Sequence, residues 1–225
     1  MPGQLVFPFG VRPSLRREDF ISAPCNEQAV QFIKRWPDWP ERAVALYGPG
    51  GCGKTHLAEI WRDAADADRV MARDLTPERL LEGAACFVVE DVDASSPTEP
   101  RDAALMALFE RPAGSLLLTG RTPPSAWPVA IRDLQSRFQS LLAFQLWVPD
   151  EALLSVLVAK HFADRQLEAG ETVIRRILTH VERTPEAIAA FVARADHKAL
   201  AEKRAVTERL VLELIEAEGS SGKGP

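Results

Sequence analysis

Short, uninterrupted apolar runs alternate with amphipathic stretches through the first two thirds of the chain, after which only amphipathic stretches follow. AVALY (43–47), CFVVE (86–90) and SLLLT (115–119) are apolar without alternation, the pattern of strands covered on both faces of a parallel sheet. LLAFQLWV (141–148) predicts a last strand. Helical spacing fills the intervals. From Asn26 it runs through Ala29, Val30, Phe32 and Ile33 until WPDWP (36–40) breaks it. From Lys54 to about Ala65 it carries Leu57, Ile60 and Trp61 on one face. A third helix is expected around 100–111, with Ala104, Leu105, Leu108 and Phe109 as its stripe, and a short one at IRDLQSRF (131–138). Strands alternating with helices predict an α/β domain with a mainly parallel sheet.

Beyond Asp150, a candidate N-cap, the strand signal does not return. Helices are expected at about 151–168, 171–182, 185–196 and 199–217, and Thr184-Pro185 has the cap-then-proline form of a helix start. The chain thus divides into an extended tail (1–13), an α/β subdomain (14–150), a small all-helical subdomain (151–217) and a flexible end (218–225). No internal repeat is visible. The five tryptophans read mostly as packing residues.

Charge and composition narrow the function classes. The 225 residues carry a formal net charge of −5, which argues against a surface that coats nucleic acid. Cys25, Cys52 and Cys86 have neither metal spacing nor an even count for a disulfide framework, and the four histidines stand singly. No segment has the roughly 20 apolar residues that span a bilayer. No basic run followed by an apolar core opens the chain, so a cytoplasmic location is expected.

Gly48-Pro49-Gly50-Gly51-Cys52-Gly53-Lys54-Thr55 matches G-x-x-x-x-G-K-[ST] between a predicted strand and a predicted helix. Glycines there let successive N–H groups turn toward phosphates, and the helix N-terminus adds positive potential. Lys54 would reach the β- and γ-phosphates, and the Thr55 hydroxyl would bind Mg2+. An acidic pair at a buried strand end is the expected partner for the metal and the attacking water. Glu90 and Asp91 fill that place, with glutamate where aspartate is usual and Asp93 nearby. Arg137, before the last strand, and Arg183, at a helix start, could be directed at a γ-phosphate, but spacing alone favours surface charge in an arginine-rich chain.

Together, P-loop, acidic strand end, an SRF arginine and a small helical subdomain resemble an AAA+ ATPase. GPGGCGKTHLAEIW, VVEDVD, LLLTGRTPP, IRDLQSRF and ERTPEAIAAF resemble DnaA, the bacterial replication initiator, over about residues 14–217. The helix-turn-helix module that follows in DnaA is not expected, nor is its long N-terminal region. What remains is similar to the Hda-type regulators, DnaA-related proteins with a sliding-clamp-binding motif at the N-terminus.

The resemblance implies an AAA+ core with a helical lid and a resident ADP or ATP with Mg2+. It carries Gly48, Pro49, Gly50, Gly51, Cys52, Gly53, Lys54, Thr55 and His56 over as the phosphate loop, and Glu90 and Asp91 as the acidic pair. Arg137 matches an arginine finger that acts on nucleotide held by a partner subunit, and Arg183 a lid arginine touching bound nucleotide. Phe20, Ile21 and Asn26 fall in the segment near the adenine. A polar sensor is expected after SLLLT, where Thr119-Gly120-Arg121 has arginine in place of an acidic residue of DnaA.

The opening Gln4-Leu5-Val6-Phe7-Pro8-Phe9 reads alone as an apolar tail packed on its own domain or in a dimer contact. Beside a DnaA-like core it resembles the clamp-binding motif Q-L-x-[LF]-P-[LF]. Gln4 would bond the rim of a partner surface, Leu5 fill one pocket, and Phe7 and Phe9 a second. Pro8 would limit the entropy lost on docking. The implied function is negative regulation of replication initiation: docking on the DNA-loaded DNA polymerase III sliding clamp, hence near the nucleoid, and stimulating ATP hydrolysis by DnaA. Self-assembly into a homodimer through Arg137 is compatible with this. Two other readings fit a P-loop chain, a self-sufficient ATPase such as a helicase loader or transposition helper, and a P-loop kinase.

Overall fold

A computed structural model describes residues 20–80 and 84–221; the motif Gln4–Phe9 lies outside them. The chain divides at Asp150 and Glu151 into two compact units. The first begins with helix α1 (Glu27–Lys34), strand β1 (Ala43–Tyr47), helix α2 (Lys54–Ala65) and strand β2 (Asp68–Met71). It continues with β3 (Phe87–Glu90), α3 (Glu99–Glu110), β4 (Leu116–Gly120), α4 (Arg132–Ser140) and β5 (Leu142–Gln145). All five strands are parallel, in the order β2-β3-β4-β1-β5.

Alternation along each strand sorts the core into two layers. Val44, Leu46, Val88 and Leu117 face α1 and α2, with Ala29, Ile33, Leu57 and Trp61. Ala45, Phe87, Val89, Leu116 and Leu118 face α3 and α4, with Leu105, Leu108, Leu134 and Phe138. Leu46, Leu117 and Leu118 are completely buried, and each such leucine contributes about 2 kcal/mol. Covered on both faces, the three central strands are apolar along their length, with the polar Glu90 and Thr119 only toward their C-terminal ends.

WPDWP does end α1, and its tryptophans are structural. Trp39 stacks on Trp61 at 5.1 Å and donates from its indole N–H to the Phe32 carbonyl. Trp127 is buried as well, but Trp147 departs from the packing expectation and is 58% exposed.

Two edges of the sheet differ from the sequence reading. β2 was not expected, because Asp68 and Arg69 are exposed and only Val70 is buried, so the strand lacks an apolar run. The last strand stops at Gln145 rather than at 148; it pairs only with β1, and Val148 is 51% exposed.

The second unit holds α5 (Glu151–Ala163), α6 (Glu171–His180), α7 (Pro185–Glu202) and α8 (Glu208–Ser221). Thr184 caps α7 by accepting the Ala187 N–H at 3.2 Å. The expected break near 197–198 does not occur: no glycine or proline interrupts the spacing, and Ala195 and Ala199 stay buried along one continuous helix. Lys203, at φ +50°, turns the chain out of it. None of the helices among the described residues is long and apolar enough to cross a membrane.

Candidate phosphate-binding site

The loop 48–53 leaves the C-terminal end of β1 and enters α2. Two of its glycines are required, one by contact and one by its backbone conformation. At Gly48 (φ +149°) a Cβ would stand 2.1 Å from the Leu146 carbonyl oxygen, so the loop can pass the end of β5 only without a side chain. Gly53, at φ +95°, is the N-cap of α2, with the Phe20 ring 3.3 Å from where its Cβ would be. α2 starts with no side-chain cap and no acidic residue in its first turn, which leaves its N–H groups for an anion.

Lys54 is buried in this loop. Its ammonium donates to the carbonyls of Gly48 at 2.8 Å and Pro49 at 2.9 Å, and lies 3.6 Å from the Cys52 sulfur. The Thr55 hydroxyl donates to Glu90 Oε2 at 3.0 Å. The sheet therefore brings the loop lysine, the loop threonine and the acidic strand end together. Hydroxyl and carboxylate oxygens are the hard donors Mg2+ prefers, and a P-loop metal takes only one or two of them beside phosphate oxygens and water. The Thr55 and Glu90 donor set fits that ion.

Asp91 follows at φ +54°, its backbone N–H donating to the Thr119 hydroxyl at 3.2 Å. Thr119, buried at the end of β4, is thus the polar side chain beside the acidic pair. Arg121 is exposed, and its backbone N–H, with that of Thr122, donates to Asp93 Oδ2 at 2.8 Å. Asp93 fastens the turn after β4.

Phe20 meets His56 edge to face at 5.0 Å, which sets the entering chain over the loop. Asn26 precedes α1 but makes no cap bond. Its side chain turns back, accepting the Ala23 N–H at 2.9 Å and donating to the Ile21 carbonyl at 3.1 Å. Burial and the Asp150 carboxylate push the Cys25 thiol above its usual range, so it is a poor nucleophile.

Arg137 is not part of this constellation. It lies on α4, which runs directly into the N-terminal end of β5, whereas the loop leaves the opposite ends of the parallel strands. Its side chain is 42% exposed and pairs with Glu110 at 3.4 Å. Arg183 belongs to the helical unit, where it precedes the α7 cap and pairs with Glu151 at 3.4 Å.

Arg69 escaped the sequence reading, and Thr119 was placed by it only in part. Arg69 pairs with Glu90 Oε1 at 2.5 Å from the unexpected strand β2. Thr119 was visible in SLLLT, but only the register of β3 against β4 sets it beside Asp91.

No family model matches the chain. Domain III of the Thermotoga maritima replication initiation protein DnaA superposes with a TM-score of 0.72 at 17% identity, over 92% of this chain and 97% of that one. A replication initiator DnaA bound to AMPPCP and single-stranded DNA gives 0.70 at 16% identity, over 86% and 69%. Replication factor C large subunit from Staphylothermus marinus is 22% identical over 203 residues, 81% of this chain and 46% of that protein. The Caulobacter vibrioides initiator protein DnaA is 31% identical over 104 residues, 44% of this chain. The chain therefore spans less than half of the first relative and, at 21%, about a fifth of the second. The parallel five-stranded core followed by helices has the AAA+ fold, in the form seen in domain III of DnaA.

Proposed function

We propose that this protein is a nucleotide-binding AAA+ regulator of replication initiation that acts on DnaA-bound ATP. ADP or ATP would bind with its phosphates at the N-terminus of α2, where Lys54 exchanges two loop carbonyls for phosphate oxygens. Thr55, Glu90 and Asp91 would hold Mg2+, which neutralises phosphate charge when bound. His56 and the segment carrying Phe20, Ile21 and Asn26 would border the nucleotide. A nucleotide in the DnaA neighbour and the uncapped N-terminus of α2 support this part of the reading.

The observation that carries the regulatory part is the place of Arg137. It is half-exposed and stands toward the end of the sheet opposite its own phosphate loop, which supports contact with a phosphate held by another subunit. An arginine supplied in trans stabilises the charge of phosphoryl transfer and is worth roughly 10³–10⁵ in rate. DnaA is the proposed recipient. The N-terminal Gln4, Leu5, Phe7, Pro8 and Phe9 would dock on the DNA-loaded sliding clamp by the extended-peptide mode.

The test is single-turnover hydrolysis of DnaA-bound ATP with this protein, with and without DNA-loaded clamp. Acceleration that depends on the clamp is expected. An inert mixture, with ATP turnover by this protein alone that Lys54→Ala removes, would favour the helicase-loader reading.

A further inference from the structure

Glu90 is 4% exposed, and both oxygens of its carboxylate are engaged. Oε2 accepts the Thr55 hydroxyl, while Oε1 pairs with Arg69 Nε at 2.5 Å. The guanidinium arrives from β2, whose Met71 is the register partner of Glu90. Residues two apart on a strand share a face, so Arg69 is the diagonal neighbour of Glu90 across the ladder. On its other side Arg69 lies 4.0 Å from Glu59 of α2, which Arg62 contacts at 2.8 Å. Arg69 thus bridges Glu90 and Glu59 beneath the phosphate loop, while Arg62 is shared between Glu59 and Asp63, the latter at 2.5 Å.

A buried carboxylate near a phosphate site repels the incoming anion unless a cation stands between them, and in P-loop proteins that cation is Mg2+. Here the chain carries a cation of its own on the same carboxylate. Arginine suits this place, because it remains charged at every physiological pH and tolerates desolvation better than an ammonium. We propose that Arg69 compensates Glu90 so that this protein retains nucleoside diphosphate without Mg2+. The proposal rests on the reading of the loop as a nucleotide site.

The experiment is the affinity of the full chain for a fluorescent ADP analogue, measured in excess Mg2+ and in excess EDTA. The wild-type value is expected to change less than about threefold between the two buffers, well under one tenfold step of affinity. Arg69→Ala is expected to lose about tenfold or more in EDTA and to recover in Mg2+. Arg69→Lys, which keeps the charge, is expected to stay close to wild type. If Arg69→Ala fails to fold, judged by far-ultraviolet circular dichroism, Arg69→Gln is read in its place. Wild-type binding that collapses in EDTA would overturn the proposal, as would a neutral variant as indifferent to Mg2+ as wild type. Absence of binding in both buffers would overturn the nucleotide reading and this proposal with it, a result distinct from binding that requires Mg2+.

Discussion

The Thr55 hydroxyl donates to Glu90 Oε2 at 3.0 Å across 35 positions of sequence, joining the start of α2 to the end of β3. That bond, with Lys54 folded onto the carbonyls of its own loop, gathers the groups of the proposed phosphate site at the end of the sheet. Lys54→Ala is therefore expected to lower affinity for ADP and ATP by tenfold or more, because it removes the only positive side chain within the loop 48–55. Thermal unfolding checks it. Nucleotide at a hundredfold excess over Kd stabilises the wild type by about 2.7 kcal/mol, and the variant should show little of that shift.

The loop's course past β5 gives a stability prediction. Gly48→Ala would press a methyl group into the Leu146 carbonyl and strain a backbone that L-residues avoid, so a loss of about 2–4 kcal/mol is expected in urea unfolding. Gly50→Ala is the control: a Cβ there meets nothing within 4 Å, and stability should change by less than about 0.5 kcal/mol.

How much of this was legible beforehand depends on what kind of pattern carried it. AVALY, CFVVE and SLLLT name the strands because burial on both faces demands a run of apolar residues, and GPGGCGKT names the loop because Gly48 is forced by contact and Gly53 by its positive φ. β2 left no such trace. An edge strand half open to solvent needs only Val70, so Arg69 went unnoticed although it touches Glu90. Thr119 was read in its strand, yet its place beside Asp91 depends on the β3 to β4 register, which no local pattern carries. The alanine-rich stretch after Pro185 misled in the other direction, since a continuous helix and two shorter ones share the same spacing.

A buried ion pair braces the segments around the acidic strand end. Arg101 and Asp102 are 2% and 0% exposed and pair at 2.6 Å. Arg101 donates to the carbonyls of Val92, Ser95 and Pro128, while Asp102 accepts the N–H groups of Ala130 and Ile131. They tie the chain leaving β3 to the chain entering α4, which bears Arg137. Asp102→Ala strands a buried guanidinium, so a loss of about 3–5 kcal/mol is expected on urea unfolding.

The helical unit has a pH-dependent link. Glu213 of α8 pairs with Arg204, and with Lys198 of α7 at 3.3 Å. The Arg204 guanidinium foremost, then Lys198 and Arg209, lower its carboxyl from 4.5 to about 2. A group depressed on folding adds stability above its unfolded value and loses it as the pH falls through the folded one. The contribution is therefore complete above about pH 4.5 and vanishes toward pH 2. A nuclear magnetic resonance titration of the Glu213 carboxyl should show its midpoint near 2. The stability gap between wild type and Glu213→Gln should close over the same window.

The central claim is that Arg137 acts on another subunit's nucleotide, and a variant compared in one assay tests it most directly. Its pairing with the exposed Glu110 is worth at most about 1 kcal/mol, so Arg137→Ala should fold and bind nucleotide like the wild type. Hydrolysis of DnaA-bound ATP with DNA-loaded clamp present is then measured for both proteins. The account predicts a fall of about 10³ or more in the stimulated rate, with clamp pull-down and ADP affinity unchanged. Full stimulation by Arg137→Ala would contradict it.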